Sequence, residues 1–181
     1  MELPNKKYDI IYCDPPWTYQ RDVVVPGGVP SGGTASLHYN TMPLNELKAL
    51  DVKSIAQKNC CLFMWSAGPK LDEALALGEA WGFKFKTCAF IWEKHRPMVG
   101  HYTMSTCEIC LVFTRGRIPR PRGSRNERQF LSQCRTNRHS EKPHEIRDRI
   151  TRMFPESARI ELFARHNTEG WDHWGNDPDL T

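Results

Sequence analysis

Residues 8–17 of the chain read YDIIYCDPPW, an apolar run with an abrupt polar end. The run Tyr8 to Cys13 is short, apolar and rich in aromatic and β-branched residues, which predicts a buried strand. Asp14 follows at once, and then come two prolines, which cannot donate to a sheet, and an indole. These residues suit an ordinary turn. They equally suit a recognition site, because a carboxylate, two rigid carbonyl acceptors and a flat indole face match a planar ring with an exocyclic amino group.

Outward from this stretch, short apolar runs alternate with helical patterns. We predict further strands over residues 60–65, 83–92, 108–113 and 159–164, and helices over 43–56, 69–82 and 141–154, the last capped by Ser140. This alternation predicts an α/β fold with a mostly parallel sheet and helices on both faces. Ligands of such sheets bind beyond the carboxyl ends of the strands. We therefore expect Asp14 and the Arg165-His166-Asn167 triplet after the last strand to face one crevice.

Two long loops interrupt the pattern. Residues 18–39 contain VVVPGGVPSGGTAS, and a glycine-rich loop of this length predicts a lid that closes over substrates. Residues 115–138 form a basic loop. From residue 115 to 152 there are twelve Lys and Arg against four Asp and Glu, although the net charge of the chain is only +4. The arginines of GRIPRPRGSRNER lie among turn-forming residues and not along a helix face. This placement favours a nucleic-acid surface over a merely solvated one.

Composition limits the remaining classes. A chain of 181 residues with 39% hydrophobic residues suits one domain over residues 1–181. It has no apolar run of about 20 residues and no signal-peptide core, which predicts a soluble intracellular protein without membrane contact. The seven cysteines are an odd number in strand-like surroundings, so we predict free thiols. Cys107 and Cys110 form a lone CxxC inside a strand pattern, and we predict no metal site.

Beyond DPPW, several motifs in the same order resemble the MT-A70 family of adenine-N6 methyltransferases. DPPW after an apolar strand resembles the catalytic signature of that family. Similar segments follow at residues 38–42 (HYNTM), 60–65 (CCLFMW), 140–146 (SEKPHEI), 160–165 (IELFAR) and 174–176 (WGN). The resemblance runs from residue 8 to 176 and so covers nearly the whole chain.

The resemblance implies a Rossmann-like methyltransferase fold with the target-amine motif before the cofactor strand, and S-adenosylmethionine as methyl donor. It implies direct in-line transfer to N6 of a flipped-out adenine. The implied catalytic residues are Asp14, Pro15, Pro16 and Trp17. The implied cofactor-binding residues are Asp14, Lys142, Arg165, His166, Asn167 and Asn176. For the substrate we expect Tyr39 to close over the base, and from the charge pattern we expect Arg120, Arg122 and Arg125 to contact phosphates.

The small size resembles bacteriophage and prophage members of the family. This implies a site-specific DNA adenine-N6 methyltransferase in the bacterial cytoplasm, as a monomer, a homodimer or a heterodimer with a related subunit. Two alternatives stay open: an RNA adenine-N6 methyltransferase and a catalytically silent nucleic-acid-binding module. Cytosine-N4 methylation would present a similar amine. A zinc deaminase is excluded, because the H-x-E and P-C-x-x-C motifs are missing.

Overall fold

The computed structural model describes residues 2–19, 41–99, 102–135 and 141–175. Within them, seven strands form one sheet in the order β5-β3-β4-β2-β1-β6-β7. The strands are β1 (Tyr8–Cys13), β2 (Ala56–Ser66), β3 (Lys84–Val99), β4 (Met104–Arg115), β5 (Phe130–Ser132), β6 (Arg159–Leu162) and β7 (Asp172–Trp174). The helices are α1 (Leu44–Ala49), α2 (Val52–Ile55), α3 (Leu71–Ala80) and α4 (His144–Met153), and a 3₁₀ turn at Gly68–Lys70 precedes α3.

Most neighbouring strands run parallel. β1 pairs in parallel with β2 and β6, β6 with β7, and β3 with β5, whereas β4 is antiparallel to both β2 and β3. The predicted α/β sheet is therefore confirmed. The carboxyl ends of β1, β2 and β6 lie on one side of the sheet, which we call the carboxyl edge. This is the edge at which parallel sheets bind their ligands.

The sheet is covered on both faces, and its interior strand β1 is apolar on both sides. Ile11 and Cys13 of β1 pack into a cluster that contains Leu47 of α1 and Leu77 of α3. The alternate residues of β1 pack into a second cluster that contains Ile146 and Ile150 of α4. The continuous apolar run at residues 8–13 thus reflects burial on both faces, as is usual for a parallel sheet. The prediction of helices on both faces is confirmed.

The helix predicted over residues 43–56 is broken into two. α1 ends at Ala49 because Leu50 takes an extended conformation, and α2 begins after Asp51. The carboxylate of Asp51 accepts a hydrogen bond from the amide of Ser54, which is the usual N-cap contact. In α4 the N-cap position is Pro143. The predicted cap, Ser140, lies outside the described residues.

Residues 93–99 and 104–106, which lie between the predicted strands 83–92 and 108–113, also belong to the sheet. β3 runs to Val99 and β4 begins at Met104, so the two strands form one long antiparallel hairpin. β5 and β7 were not expected either. Each has three residues, too few for an alternating pattern to stand out in a sequence.

The structure also shows the state of the cysteines and the character of the helices. All seven cysteines are free thiols, as predicted. Among the described residues, no helix combines the length and the apolar character that crossing a membrane requires.

The contact between α3 and β4 gives a first testable prediction. Gly78 of α3 is buried, and a Cβ atom added there would overlap the ring of Phe113 in β4. Since overpacking a dense core forces side chains and backbone to shift, Gly78→Ala should lower the free energy of unfolding by about 1–3 kcal/mol. Urea unfolding measures the change. Gly68→Ala is the control, since no atom lies within 4 Å of its added Cβ, and an equal loss in both variants would contradict the packing argument.

Candidate active site

Asp14 stands directly after β1, at the carboxyl edge, with its side chain 23% exposed. The turn that follows is held by backbone hydrogen bonds. The amide of Trp17 donates to the carbonyl of Pro15 at 2.8 Å, and the amide of Met42 donates to the carbonyl of Pro16 at 2.8 Å. Each of the two predicted proline acceptors therefore already accepts one backbone hydrogen bond. A carbonyl oxygen has two lone pairs, so each can still accept one further hydrogen bond.

Trp17 differs more from the expectation. Its side chain is 4% exposed and belongs to the core cluster around Ile11 and Leu47. Its indole N–H points to the carbonyl of Trp65 at 3.4 Å. An indole brings a large apolar area, and burying that area stabilises the turn more than leaving it in water. In this structure Trp17 therefore supports the turn from inside and does not offer an open face for stacking.

Lys142 connects Asp14 to the rest of the site. Its side chain is 8% exposed, and its Nζ lies 2.5 Å from Oδ2 of Asp14 and 3.2 Å from Oε2 of Glu108 in β4. Glu108 in turn lies 2.9 Å from Nζ of Lys94 in β3, which is 4% exposed. We call Asp14, Lys142, Glu108 and Lys94 the charge chain. Two cations and two anions alternate in it, and this balance is what allows four ionised groups to be largely buried together.

The charge chain sets the protonation of its members. Burial lowers the pKa of Lys142, but Asp14 and Glu108 raise it well above its ordinary value. Burial raises the pKa of Glu108, but Lys142 and Lys94 outweigh that and lower it to about 2. Burial raises the pKa of Asp14, with Glu108 adding to the rise and Lys142 opposing it. Lys142 and Glu108 thus stay ionised at neutral pH, whereas Asp14 takes up a proton at higher pH than an ordinary aspartate.

A further buried cation, Arg147 of α4, was missed by the sequence analysis. It is 3% exposed, and its Nε lies 2.9 Å from Oε2 of Glu161 in β6. Its Nη1 donates to Oγ1 of Thr168 at 2.5 Å and to Nε2 of His166 at 3.2 Å. Arg147 therefore ties α4 to β6 and to the segment after it. Arg147 lies on the buried side of α4 with Ile146, and a charged residue at such a position could have indicated a buried ion pair from the sequence.

His166 lies beside the start of α4. Its Nδ1 is 3.9 Å from Oε1 of Glu141, and Nε2 of His144 is 3.6 Å from the same oxygen. One ligand atom from each of these three side chains lies within 4.8 Å of the others, a spacing that could hold a metal ion. However, Nε2 of His166 already contacts Nη1 of Arg147, which can only donate, so the ring has only Nδ1 left for a metal ion. That arrangement suits hydrogen bonding better than metal ligation.

Of the other predicted cofactor-binding residues, one lies near Asp14 and one lies elsewhere. Arg165 is half-buried and close enough to Asp14 to lower its pKa, so the structure does bring the two together. Asn167 instead lines a separate cavity of about 460 Å³ with Tyr8 and Asp172. The predicted lid beyond Tyr19, together with Tyr39 and Asn176, lies outside the described residues.

The predicted phosphate-binding arginines lie far from Asp14. Arg115 pairs with Cys60 near the start of β2, at the edge opposite to the carboxyl edge. The amide of Gly123 donates to the carbonyl of Met153, at the end of α4, whereas Lys142 stands before its start. Ten helical residues span about 15 Å. The structure therefore places Arg120, Arg122 and Arg125 apart from Asp14, and their contact with phosphates stays a prediction.

Comparison with known proteins places these features in a family context. A sequence profile of the MT-A70 family matches residues 8–177. The chain is 46% identical to "Type II methyltransferase M.MunI" of Mycoplasma sp, over 96% of this chain and 79% of that protein. It is 29% identical to "Putative N(6)-adenosine-methyltransferase MT-A70-like" of Medicago truncatula, over 94% of this chain and 26% of that protein. It is 26% identical to "N(6)-adenosine-methyltransferase catalytic subunit METTL3" of Homo sapiens, over 96% of this chain and 28% of that protein. The chain thus spans about a quarter of the length of the last two.

Proposed function

This chain belongs to the MT-A70 family of methyltransferases, and from that premise we propose that it methylates N6 of adenine in DNA, with S-adenosylmethionine as the donor. The observation that carries the proposal is the ion pair of Asp14 and Lys142 at the carboxyl edge, with Nζ and Oδ2 2.5 Å apart. Asp14 follows the first strand and Lys142 precedes the last helix, so the fold brings two distant motifs together at the ligand-binding edge.

The charges of this pair suit the methyl donor. S-adenosylmethionine supplies an electrophilic methyl group on a sulfonium, and its amino-acid end carries one carboxylate and one ammonium. Lys142 is a buried cation that would bind the carboxylate, and the start of α4 adds its favourable dipole. Asp14 is an anion at hydrogen-bonding distance from that cation and would bind the ammonium. The donor set at this edge therefore fits the group.

Other residues near the carboxyl edge would contact the ribose and adenine of S-adenosylmethionine. Arg165 and His166 follow β6 and would line its ribose and adenine side, with Arg147 holding His166 in place. Asn176 would extend that side, whereas Asn167 lines the separate cavity beside Tyr8 and Asp172.

The same turn would receive the target base. Oδ2 of Asp14 is held by Lys142, which leaves Oδ1 to accept a hydrogen bond from the amino group of adenine. The carbonyls of Pro15 and Pro16 would accept with their second lone pairs. These acceptors favour a more tetrahedral nitrogen and stabilise the positive charge that develops on it during transfer. Trp17 would hold the turn rigid, and the loop over residues 18–39, with Tyr39, would close over the base.

A type II methyltransferase at 46% identity favours DNA as the substrate. The relatives named as adenosine methyltransferases are less than 30% identical and far longer than this chain. RNA is therefore the second candidate. The bacterial relative also supports a role in the bacterial cytoplasm. The proposal applies equally to a monomer, a homodimer and a heterodimer, because all four residues of the charge chain belong to this one chain.

The test is transfer of labelled methyl from S-adenosylmethionine to duplex DNA, single-stranded DNA and RNA in parallel, with nucleoside analysis of the product. We expect N6-methyldeoxyadenosine from DNA. Transfer to RNA alone would overturn the choice of substrate, and N4-methylcytosine would overturn the choice of base. Nucleic-acid binding with neither donor binding nor transfer to any of the three would show a catalytically silent nucleic-acid-binding module.

A further inference from the structure

Four residues of the basic loop line one cavity of about 300 Å³: Ile118, Arg120, Arg122 and Arg125. We call it the arginine pocket. It lies beside the end of α4, since the amide of Ser124 donates to the carbonyl of Arg152 at 2.8 Å. The charge chain stands at the other end of the same helix. The arginine pocket and Asp14 are therefore two separate places on the protein.

The charge in the arginine pocket is not balanced. Among the described residues, no carboxylate lies within 4.0 Å of the guanidinium groups of the three arginines. The arginines of α4 differ in this respect, because Arg147, Arg149 and Arg152 each contact a glutamate. Three like charges around one cavity lie within a screening length of each other, so they repel unless an anion joins them.

The pocket is also built on a fixed backbone. The guanidinium carbon of Arg122 lies 4.7 Å from the ring centroid of Phe154, and its buried Nε has no hydrogen-bond partner among the described residues. Gly123 packs so closely that an added Cβ would overlap the carbonyl oxygen of Arg152. A planar guanidinium held in this way presents its donors in a fixed direction, which suits the oxygens of a phosphate.

We propose that the arginine pocket binds a backbone phosphate of the nucleic-acid substrate, several nucleotides away from the methylated base. The proposal rests on the proposed function, which makes nucleic acid the polyanion that this protein meets. Duplex DNA rises 3.4 Å per base pair, so the roughly 15 Å length of α4 corresponds to about four or five base pairs. The pocket thus adds affinity only for a substrate long enough to reach it.

The experiment compares two sets of three substitutions in the same loop. The pocket variant carries Arg120→Ala, Arg122→Ala and Arg125→Ala. The control variant carries Arg117→Ala, Arg128→Ala and Arg135→Ala, which remove the same charge from exposed positions that do not line the pocket. Binding to a short duplex of about 3 base pairs closed by a hairpin loop, too short to span about 15 Å, and to a mixed-sequence duplex of about 30 base pairs is measured by fluorescence anisotropy over a range of salt concentrations. Circular dichroism verifies the fold of each variant.

For the pocket variant we expect affinity for the long duplex to fall about tenfold, with affinity for the short duplex unchanged. The slope of log affinity against log salt should become shallower by about one, the value for one phosphate. Equal losses on both duplexes, equal losses in both variants, or unchanged binding would each overturn the proposal. Calorimetric binding of S-adenosylmethionine should be the same in all three proteins. S-adenosylmethionine binding depends only on the transfer site. Loss of that binding would contradict the proposed function, whereas unchanged DNA binding by the pocket variant would contradict only the proposal for the arginine pocket.

Discussion

Replacing Asp14 with asparagine should lower the rate of methyl transfer by about a hundred- to a thousandfold. The amide is nearly isosteric with the carboxylate, but it carries no charge to stabilise the positive charge developing on the target nitrogen. Single-turnover transfer of labelled methyl measures the effect. The fold should survive, because Lys142 keeps its second partner, Glu108, at 3.2 Å.

Asp72→Asn is the matched control, since Asp72 is an exposed aspartate in the first turn of α3 and lies outside the charge chain. Its rate of transfer should equal that of the unchanged protein. Wild-type transfer by Asp14→Asn would refute the proposed role of the carboxylate.

The pH dependence adds a second measurement on Asp14. Burial raises the pKa of Asp14, so its ionised form should be lost at a pH higher than the usual value of about 3.9 for an aspartate. The rate of transfer should therefore fall on acidification before ordinary surface carboxylates titrate. The acidic limb should be absent from the residual activity of Asp14→Asn, which has no proton to take up at this position.

Replacing Lys142 with methionine should remove most of the affinity for S-adenosylmethionine and destabilise the protein. The side chain keeps its length but loses the cation, and Asp14 and Glu108 then face each other without the charge between them. Breaking a buried ion pair in this way lowers the free energy of unfolding by about 3–5 kcal/mol. Calorimetry measures the affinity, and denaturant unfolding measures the stability.

The stability difference should depend on pH in a defined direction. In the unchanged protein the pKa of Glu108 is lowered to about 2, so its contribution is present above its unfolded pKa of about 4.5 and is lost as the pH falls through 2. In Lys142→Met the unpaired carboxylates are destabilising where they are charged, and protonation relieves them. The deficit should be largest at neutral pH and smaller near pH 3. A deficit that does not vary with pH would contradict this electrostatic origin.

A double variant separates the two roles of Lys142. Combining Lys142→Met with Glu108→Gln removes one cation and one anion, so the charge chain regains its balance. Stability should recover in part, because no carboxylate of the chain is left in excess. Affinity for S-adenosylmethionine should stay low. Recovery of both quantities would show that Lys142 acts only on the fold.

The carboxyl edge and its polar groups were predictable from local patterns. A strand that is apolar on both faces and ends in Asp14 indicates both the parallel sheet and the place where its ligand binds, because sheet geometry puts function at strand ends. The helix predicted over residues 141–154 was found as α4, although it begins only at His144, and the role of Lys142 came from the family resemblance and not from local patterns. The break at Leu50 and the three-residue strands β5 and β7 were not predictable, because their conformations depend on contacts with distant segments and not on local periodicity.

By itself, then, the sequence determined the α/β sheet, the family motifs and the placement of Asp14, since burial patterns and strand ends are local properties. Only the tertiary structure decided which charges meet. Glu108 and Lys94 joined Asp14 and Lys142, Trp17 turned into the core, and the arginines of the basic loop came to the far end of α4. The physical reason is that ion pairing and packing depend on distances of a few ångströms between residues that are remote along the chain.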